Sequence, residues 1–364
     1  MNKISPLQLF AFMICGRSFT MMTYFPVTNH NAQIMMIGTL ISTLIQAAMV
    51  FPIVAFQKQF PNENVCTLVM SKNKKAGITV TIFYCLFFLL ISYMIIGNFT
   101  YFFDYYFADY IPRIIIVATC TIAAVYLAHA NVKVIGKTSV VVGVMFVLMT
   151  IIVISGSFQK FNIKNFNLAV ENIPQSVWES VMAEFRKNRD LIIMVFLLPD
   201  LKGNAGKTAG WYFVVKLVLF EIVFGFVTII LGDYGIISNL SFFSLAAYSK
   251  TKVMERYDAL FMALWSLMAL VKLGGYLHCA GRCFKLILPK LNFVTSVIIM
   301  AFVSASASLY YLIPHKWNEV VNYEGSVIGI ILLYAVVPLA ALVLWGRENK
   351  SERNERGKRK IETA

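Results

Sequence analysis

The sequence predicts an all-α polytopic membrane protein of about ten transmembrane helices, with the first and the sixth broken. Three observations carry that prediction. Of 364 residues, 59% are hydrophobic and only 14% charged, whereas a soluble domain carries about 25% charged residues. Ten apolar stretches recur at lengths that suit a bilayer core of ~30 Å, which takes roughly 20 residues per helix. Polar and charged residues interrupt two of those stretches at membrane depth.

The first span, residues 7–28, reads LQLFAFMICGRSFTMMTYFPVT. Gly16, Arg17 and Ser18 stand at its midpoint, followed by Thr20, Thr23 and Pro26. A guanidinium there is costly unless it faces protein or water, and Gly, Ser/Thr and Pro are the residues with which a membrane helix opens its backbone. The reading is a broken helix that helps to form a binding site; the alternative is an intact helix whose Arg17 has a structural partner. Further spans fall at 33–56, 76–102, 110–128 and 138–157. Residues 57–75 between them are polar, with Pro61 and a lysine cluster, and are expected along the membrane surface.

The sixth span is short. Apolar residues run only from Leu191 to Leu201, and the helix-compatible stretch PQSVWESVMAEFRKNRD precedes them. Either an amphipathic helix lies on the membrane before a short span, or residues 175–201 form one crossing broken near Asn188–Asp190. The second reading is preferred, because interrupted segments in corresponding positions of two halves mark transporter sites. Spans at 209–232, 257–285, 291–313 and 322–346 complete the set, with a short helix at 241–248 in the longest loop. Residues 1–346 thus form one membrane domain, with a first half over about 7–157, a second over about 175–313, and the span 322–346. Residues 347–364 form a basic tail attracted to anionic membrane lipid.

The net charge of +14 follows topology rather than nucleic-acid binding. With the N-terminus inside, nineteen Lys and Arg fall in inner segments and ten in outer ones, so both termini are expected in the cytoplasm. No Walker-type loop, nucleophile elbow or His-Glu-x-x-His motif occurs, so no enzyme activity or cofactor is expected. Cys279 and Cys283 lie one turn apart beside His278, but two packed thiols explain them better than a metal half-site. Besides Arg17, the charges at mid-membrane depth are Glu221 and Lys272. They read as a buried charge network, Glu221 pairing with Lys272 or Arg17. Lys216, nearer the inner face, is placed to snorkel. Lys272 is also placed to stand where a coupling cation would otherwise bind, and the half-helix amides near Arg17 to receive an anionic group such as an amino-acid carboxylate.

Four stretches carry a family resemblance: Ile4-Ser5-Pro6-Leu7-Gln8-Leu9; Pro26 late in the first span; Leu197-Leu198-Pro199-Asp200-Leu201-Lys202; and Val253-Met254-Glu255-Arg256-Tyr257-Asp258-Ala259-Leu260-Phe261 followed by Trp265. The chain resembles the endospore germination permeases, the B subunits of spore germinant receptors, within the amino acid/polyamine/organocation superfamily. It departs from them at Asn31-Ala32-Gln33, where that family often has Asp-Ala-Trp or Asp-Gly-Trp, and at Arg17-Ser18-Phe19-Thr20, where it usually has glycines. Asp190 is placed to serve as its acidic residue before the sixth-helix proline. The resemblance implies inverted five-helix repeats in a spore inner membrane, and a nutrient germinant, commonly an amino acid, sensed alongside an A-type subunit and a C-type lipoprotein. It further implies that Gly16, Arg17, Ser18, Thr20, Asn188 and Asp190 frame the ligand cavity, and that Glu255 and Arg256 are structural. A secondary amino-acid transporter working by alternating access is the alternative.

Overall fold

The computed structural model describes residues 3–23, 32–61, 63–107, 111–166, 172–232, 234–235, 240–250, 256–310 and 325–346. The helices are α1 (Pro6–Thr23), α2 (Ala32–Met49), α3 (Phe51–Gln59), α4 (Val65–Lys72), α5 (Lys74–Phe107), α6 (Arg113–His129) and α7 (Val132–Ser157). The second half holds α8 (Ile173–Lys187), α9 (Leu191–Leu197), α10 (Ala205–Leu231), α11 (Ser241–Tyr248), α12 (Asp258–Ile287) and α13 (Phe293–Tyr310). Last comes α14 (Gly325–Ile331), continued through one π-helical stretch (Leu332–Val336) and helix to residue 346. Among the described residues, seven helical segments are long and apolar enough to cross a membrane. The first helix, the 17-residue α6 and the α8–α9 pair bring the set to the ten expected.

Local chemistry explains where these helices begin. Ser5 and Gln8 form a reciprocal cap at the start of α1: the Ser5 N–H donates to Gln8 Oε1 at 2.9 Å and the Gln8 N–H to Ser5 Oγ at 3.3 Å. Pro6 follows at the first helical position, where its missing N–H costs nothing. Asn64, Asn131, Asn172 and Asn204 each accept the N–H three residues on, from Thr67, Val134, Gln175 and Lys207, satisfying donors that a helix start leaves free. Gly232, with φ +55°, ends α10.

Packing divides the helices into two groups with α1 between them. Helix α2 packs on α8 and α10, while α12 packs on α5, α6, α7 and α13; α1 touches α7, α10 and α12. Small residues allow the closest approach. A Cβ on Gly38 of α2 would stand 2.2 Å from Ser180 Oγ and 3.0 Å from the Ser180 backbone of α8.

Several expectations need correction. Helix α1 is continuous from Pro6 to Thr23, so the backbone does not open at Gly16–Thr20; residues 24–31, including Pro26, lie outside the described residues. An unbroken ladder is possible because Arg17 finds protein partners instead of exposed amides. The second span is interrupted at Val50, where Pro52 sits in the first turn of α3. Residues 57–75 are not simply a polar surface loop. Helix α4 buries Val65, Cys66, Leu68 and Val69 against α5, and this burial pushes the Cys66 thiol up to about 12. The break at Asn188–Asp190 and the short helix at 241–248 are found as expected. The basic tail lies outside the described residues.

Gly38→Ala should lower the thermal midpoint, by the ~1–3 kcal/mol typical of overpacking, because the Ser180 backbone cannot yield as a flexible side chain would. Differential scanning fluorimetry of the detergent-solubilised protein measures it, and an unchanged midpoint would refute the tight α2–α8 contact.

Candidate functional site

The α8–α9 break is made by three polar residues, each drawn to different partners. The Asn188 N–H still bonds the Glu184 and Phe185 carbonyls, both at 3.2 Å, and so closes α8. Its side chain leaves the helix, donating to Gln46 Oε1 at 2.5 Å and accepting from the Tyr212 hydroxyl at 3.0 Å. Arg189 turns back to the Arg186 carbonyl at 3.0 Å and reaches Met94 Sδ at 2.7 Å. Asp190 heads α9 and points at α1 and α12.

Two buried ionic clusters meet at this break. In the first, Lys272 Nζ lies 2.9 Å from both carboxylate oxygens of Asp190. The same ammonium donates to the Gly16 carbonyl at 3.0 Å and to Thr20 Oγ1, and the Tyr276 hydroxyl donates to Asp190 Oδ1 at 2.9 Å. Carboxylate, carbonyl and hydroxyl oxygens are a donor set that suits a hard cation; here the cation belongs to the chain. Gly16 allows this close approach: a Cβ there would stand 3.1 Å from Asp190 Oδ1, so the carboxylate would have to give by a few tenths of an ångström. In the second cluster, Glu184 receives Arg17 Nη2 at 2.5 Å and Lys216 Nζ at 2.9 Å. Lys216 also donates to Gln46 Oε1 at 3.0 Å, and the Arg17 guanidinium lies 4.6 Å above the Phe220 ring. Two cations thus share one carboxylate. Arg17 Nε and Nη1 and Ser18 Oγ are buried with no hydrogen-bond partner among the described residues.

A cavity of about 30 Å³ adjoins the first cluster, lined by Thr20, Asn98, Arg186, Lys187, Arg189 and Lys272 together with Phe19, Met94 and two isoleucines. Four basic side chains and no acidic one face it. Toward the Thr23 end of α1, Trp265 packs behind the lining residue Phe19, its ring 5.1 Å from Phe19, 5.7 Å from Phe99 and 4.4 Å from Phe102. Trp265 Nε1 also donates to Thr23 Oγ1 at 3.0 Å. At the opposite end of α1, well away from this cavity, the backbone pairs: the Ile4 N–H donates to the Asp200 carbonyl at 2.8 Å and the Lys202 N–H to the Ile4 carbonyl at 2.7 Å. Arg282 also pairs with Asp200.

The structure therefore brings Gly16, Thr20, Asp190 and Lys272 into one cluster and Arg17 and Asn188 into its neighbour. Of the six residues expected to frame a ligand cavity, only Thr20 lines this one directly. Among the described residues the expected pairing of Glu221 with Lys272 or Arg17 is not found: those cations are taken by Asp190 and Glu184, and Glu221 Oε1 is buried without a hydrogen-bond partner there. Lys216 does not snorkel; it is buried and paired. Arg256 is exposed and pairs with Asp258 at 2.5 Å, at the start of α12, whereas Glu255 lies outside the described residues. His278 Nδ1 meets the Ala128 carbonyl at 2.8 Å, and Cys279 and Cys283 are buried free thiols. Glu184 and Gln46 were missed as site residues. The signal for Glu184 was its place on the 174–190 stretch once that stretch is read as a crossing, where an acid needs a basic partner; Gln46, among apolar neighbours, gave none.

This fold and its charged helix break define an integral membrane protein of permease type. Residues 3–319 match the family described as spore germination protein, and the chain belongs to that family. Among solved structures it is similar to a Na⁺-coupled sialic acid symporter in a substrate-bound outward-open state. That likeness has a TM-score of 0.61 and 11% identity, over 91% of this chain and 77% of the other, and it shows a shared transporter-type fold. No curated sequence matches the chain.

Glu184→Gln should cost about 3–5 kcal/mol, because it strands two buried cations. Lys216→Met should cost far less, since it leaves Arg17 and Glu184 as a neutral pair. Thermal unfolding of both variants tests the difference, and equal losses would overturn the shared-carboxylate arrangement.

Proposed function

We propose that this chain is the nutrient-sensing, permease-like subunit of a spore germinant receptor, acting in the spore inner membrane beside an A-type subunit and a C-type lipoprotein. Its ligand is a small germinant, an amino acid above all, bound at the α8–α9 break. Both termini face the cytoplasm. The observation that carries the reading is the helix break at Asn188–Asp190, tied to α1 by Lys272 and standing beside a cavity faced by Arg186, Lys187 and Arg189.

Size turns that site into a switch. A ligand pocket takes ~300 Å³ or more, whereas about 30 Å³ has room for a water molecule. An amino acid therefore enters only a conformer in which the break has opened, and it shifts the population toward that conformer by its differential affinity. The opened site offers a carboxylate the Arg186, Lys187 and Arg189 cations and the spare N–H groups of Arg17. Gly16, Ser18, Thr20, Asn188 and Asp190 frame it from α1 and the break. Partner subunits read the displacement. The second reading, a secondary amino-acid transporter, is favoured by the likeness to a symporter; saturable uptake of radiolabelled amino acids by this chain alone in proteoliposomes would establish it over the receptor.

A panel of amino acids and sugars should contain at least one compound that raises the thermal midpoint of the purified protein. Arg189→Gln should weaken that compound by roughly tenfold or more, the worth of a hydrogen bond to a charged group. A panel with no stabiliser, or an Arg189→Gln protein with unchanged affinity, contradicts the assignment. Because Lys272 supplies the cation at the oxygen cluster, replacing Na⁺ by choline should leave ligand binding unaltered; a steep Na⁺ dependence would show that a free ion is needed there.

A further inference from the structure

Between the first turns of α1 and α10 lies a groove of about 440 Å³. Its walls are Leu7, Phe10, Trp211 and Val215, and its mouth is formed by Asn204 and Lys207. Leu7 and Trp211 are 60% and 65% exposed, so the groove opens away from the protein toward the bilayer. Its polarity is graded along the helix axis. Lys207 lies two turns before Val215, about 12 Å at 1.5 Å per residue, and the lining passes from lysine through an exposed tryptophan to purely aliphatic and aromatic carbon. Tryptophan marks the headgroup level of a membrane helix. The mouth is cationic: Lys207 has no ion pair among the described residues, and exposed Lys202 adjoins the same turn.

We propose that this groove binds an anionic phospholipid, its phosphate at Lys207 and the first turn of α10, one acyl chain between α1 and α10. The gradient from charge to hydrocarbon matches one lipid molecule end to end, and neither a soluble anion nor an uncharged lipid uses both ends of it. The position gives occupancy a consequence. Gly203, whose φ of +142° suits glycine, presses on Pro6, where a Cβ would come within 2.9 Å of Pro6 Cγ. Immediately beside that contact, Ile4 is hydrogen-bonded to residues 200 and 202. A lipid wedged here bears on the backbone pairing that ties the start of α1 to residues 200–202.

The test uses the full chain in nanodiscs of phosphatidylcholine doped with brominated phosphatidylglycerol or, separately, brominated phosphatidylcholine. Tryptophan quenching should favour the phosphatidylglycerol by about fivefold in apparent affinity, the factor one lysine supplies near a charged surface. Lys207→Gln should abolish the preference, and so should Trp211→Phe, because quenching of the remaining tryptophans should not distinguish the two lipids. Lys164→Gln, an exposed lysine beside the opposite end of α10, where neighbouring Asn165 donates to the Ile229 carbonyl, should change nothing, and each variant's thermal midpoint in pure phosphatidylcholine confirms that it is folded. Inorganic phosphate added to lipid-free micelles should give no stabilisation. Equal quenching by the two lipids, a preference that survives Lys207→Gln, or stabilisation by phosphate alone would each overturn the proposal.

Discussion

Asp190 and Lys272 form the contact on which the membrane core depends. Each charge alone would be prohibitive at this depth, and together they join three helices that share no other polar tie so dense: α9 through the carboxylate, α12 through the ammonium, and α1 through the Gly16 carbonyl and Thr20. The pair also explains the break. Asp190 can reach α1 only because Asn188 has left helical geometry, and Asn188 leaves it because Gln46 and Tyr212 hold its amide. Removing either charge would strand the other, so hinge and pair persist together.

The second cluster gives the first its setting. Glu184 holds Arg17 from α1 and Lys216 from α10, so one turn of α8 gathers the helices on one side of α1. Lys272 gathers those on the other through α12. Helix α1 is thus clamped at two adjacent residues, Gly16 and Arg17, by partners from opposite groups. Its two ends are held by unlike contacts, an aromatic stack around Trp265 at one and backbone pairing plus Arg282–Asp200 at the other. Dispersion dominates one end and directional bonds the other, so the two contacts respond differently to temperature and to ionic strength.

What sequence reasoning could reach followed from the strength of each signal. Apolar runs and basic loops carry most of the information about a membrane fold, and the ten-element plan, the α8–α9 break and the short helix at 241–248 were legible from them. The partner of each buried charge was not. Depth along a helix says that Arg17, Lys216 and Lys272 need partners, but not which acid faces them. Glu221 lay at a suitable depth on the wrong face of α10, while Glu184 stood among several charges on the 174–190 stretch, with nothing to say which of them turns toward Arg17. Gly16-Arg17-Ser18 looked like a place to open a helix because small and polar residues permit that; here they serve close approach and pairing instead. Pro52 sits in the first turn of α3, where a proline is as compatible with a helix start as with a kink, so the apolar run alone does not show that the second span is interrupted.

The separation in sequence between Arg17 and its carboxylate, 167 residues, has a consequence for biogenesis. While the ribosome works through α2 to α7, the first helix carries a guanidinium for which no partner has yet been made. The oxygens that later surround Lys272 likewise stay without a cation. Insertion of α1 is therefore completed retroactively, when α8 arrives with Glu184 and the chain beyond it closes on Ile4. A ribosome stalled before that point leaves behind a half-protein marked by a bare intramembrane charge, the kind of defect that membrane quality control can recognise.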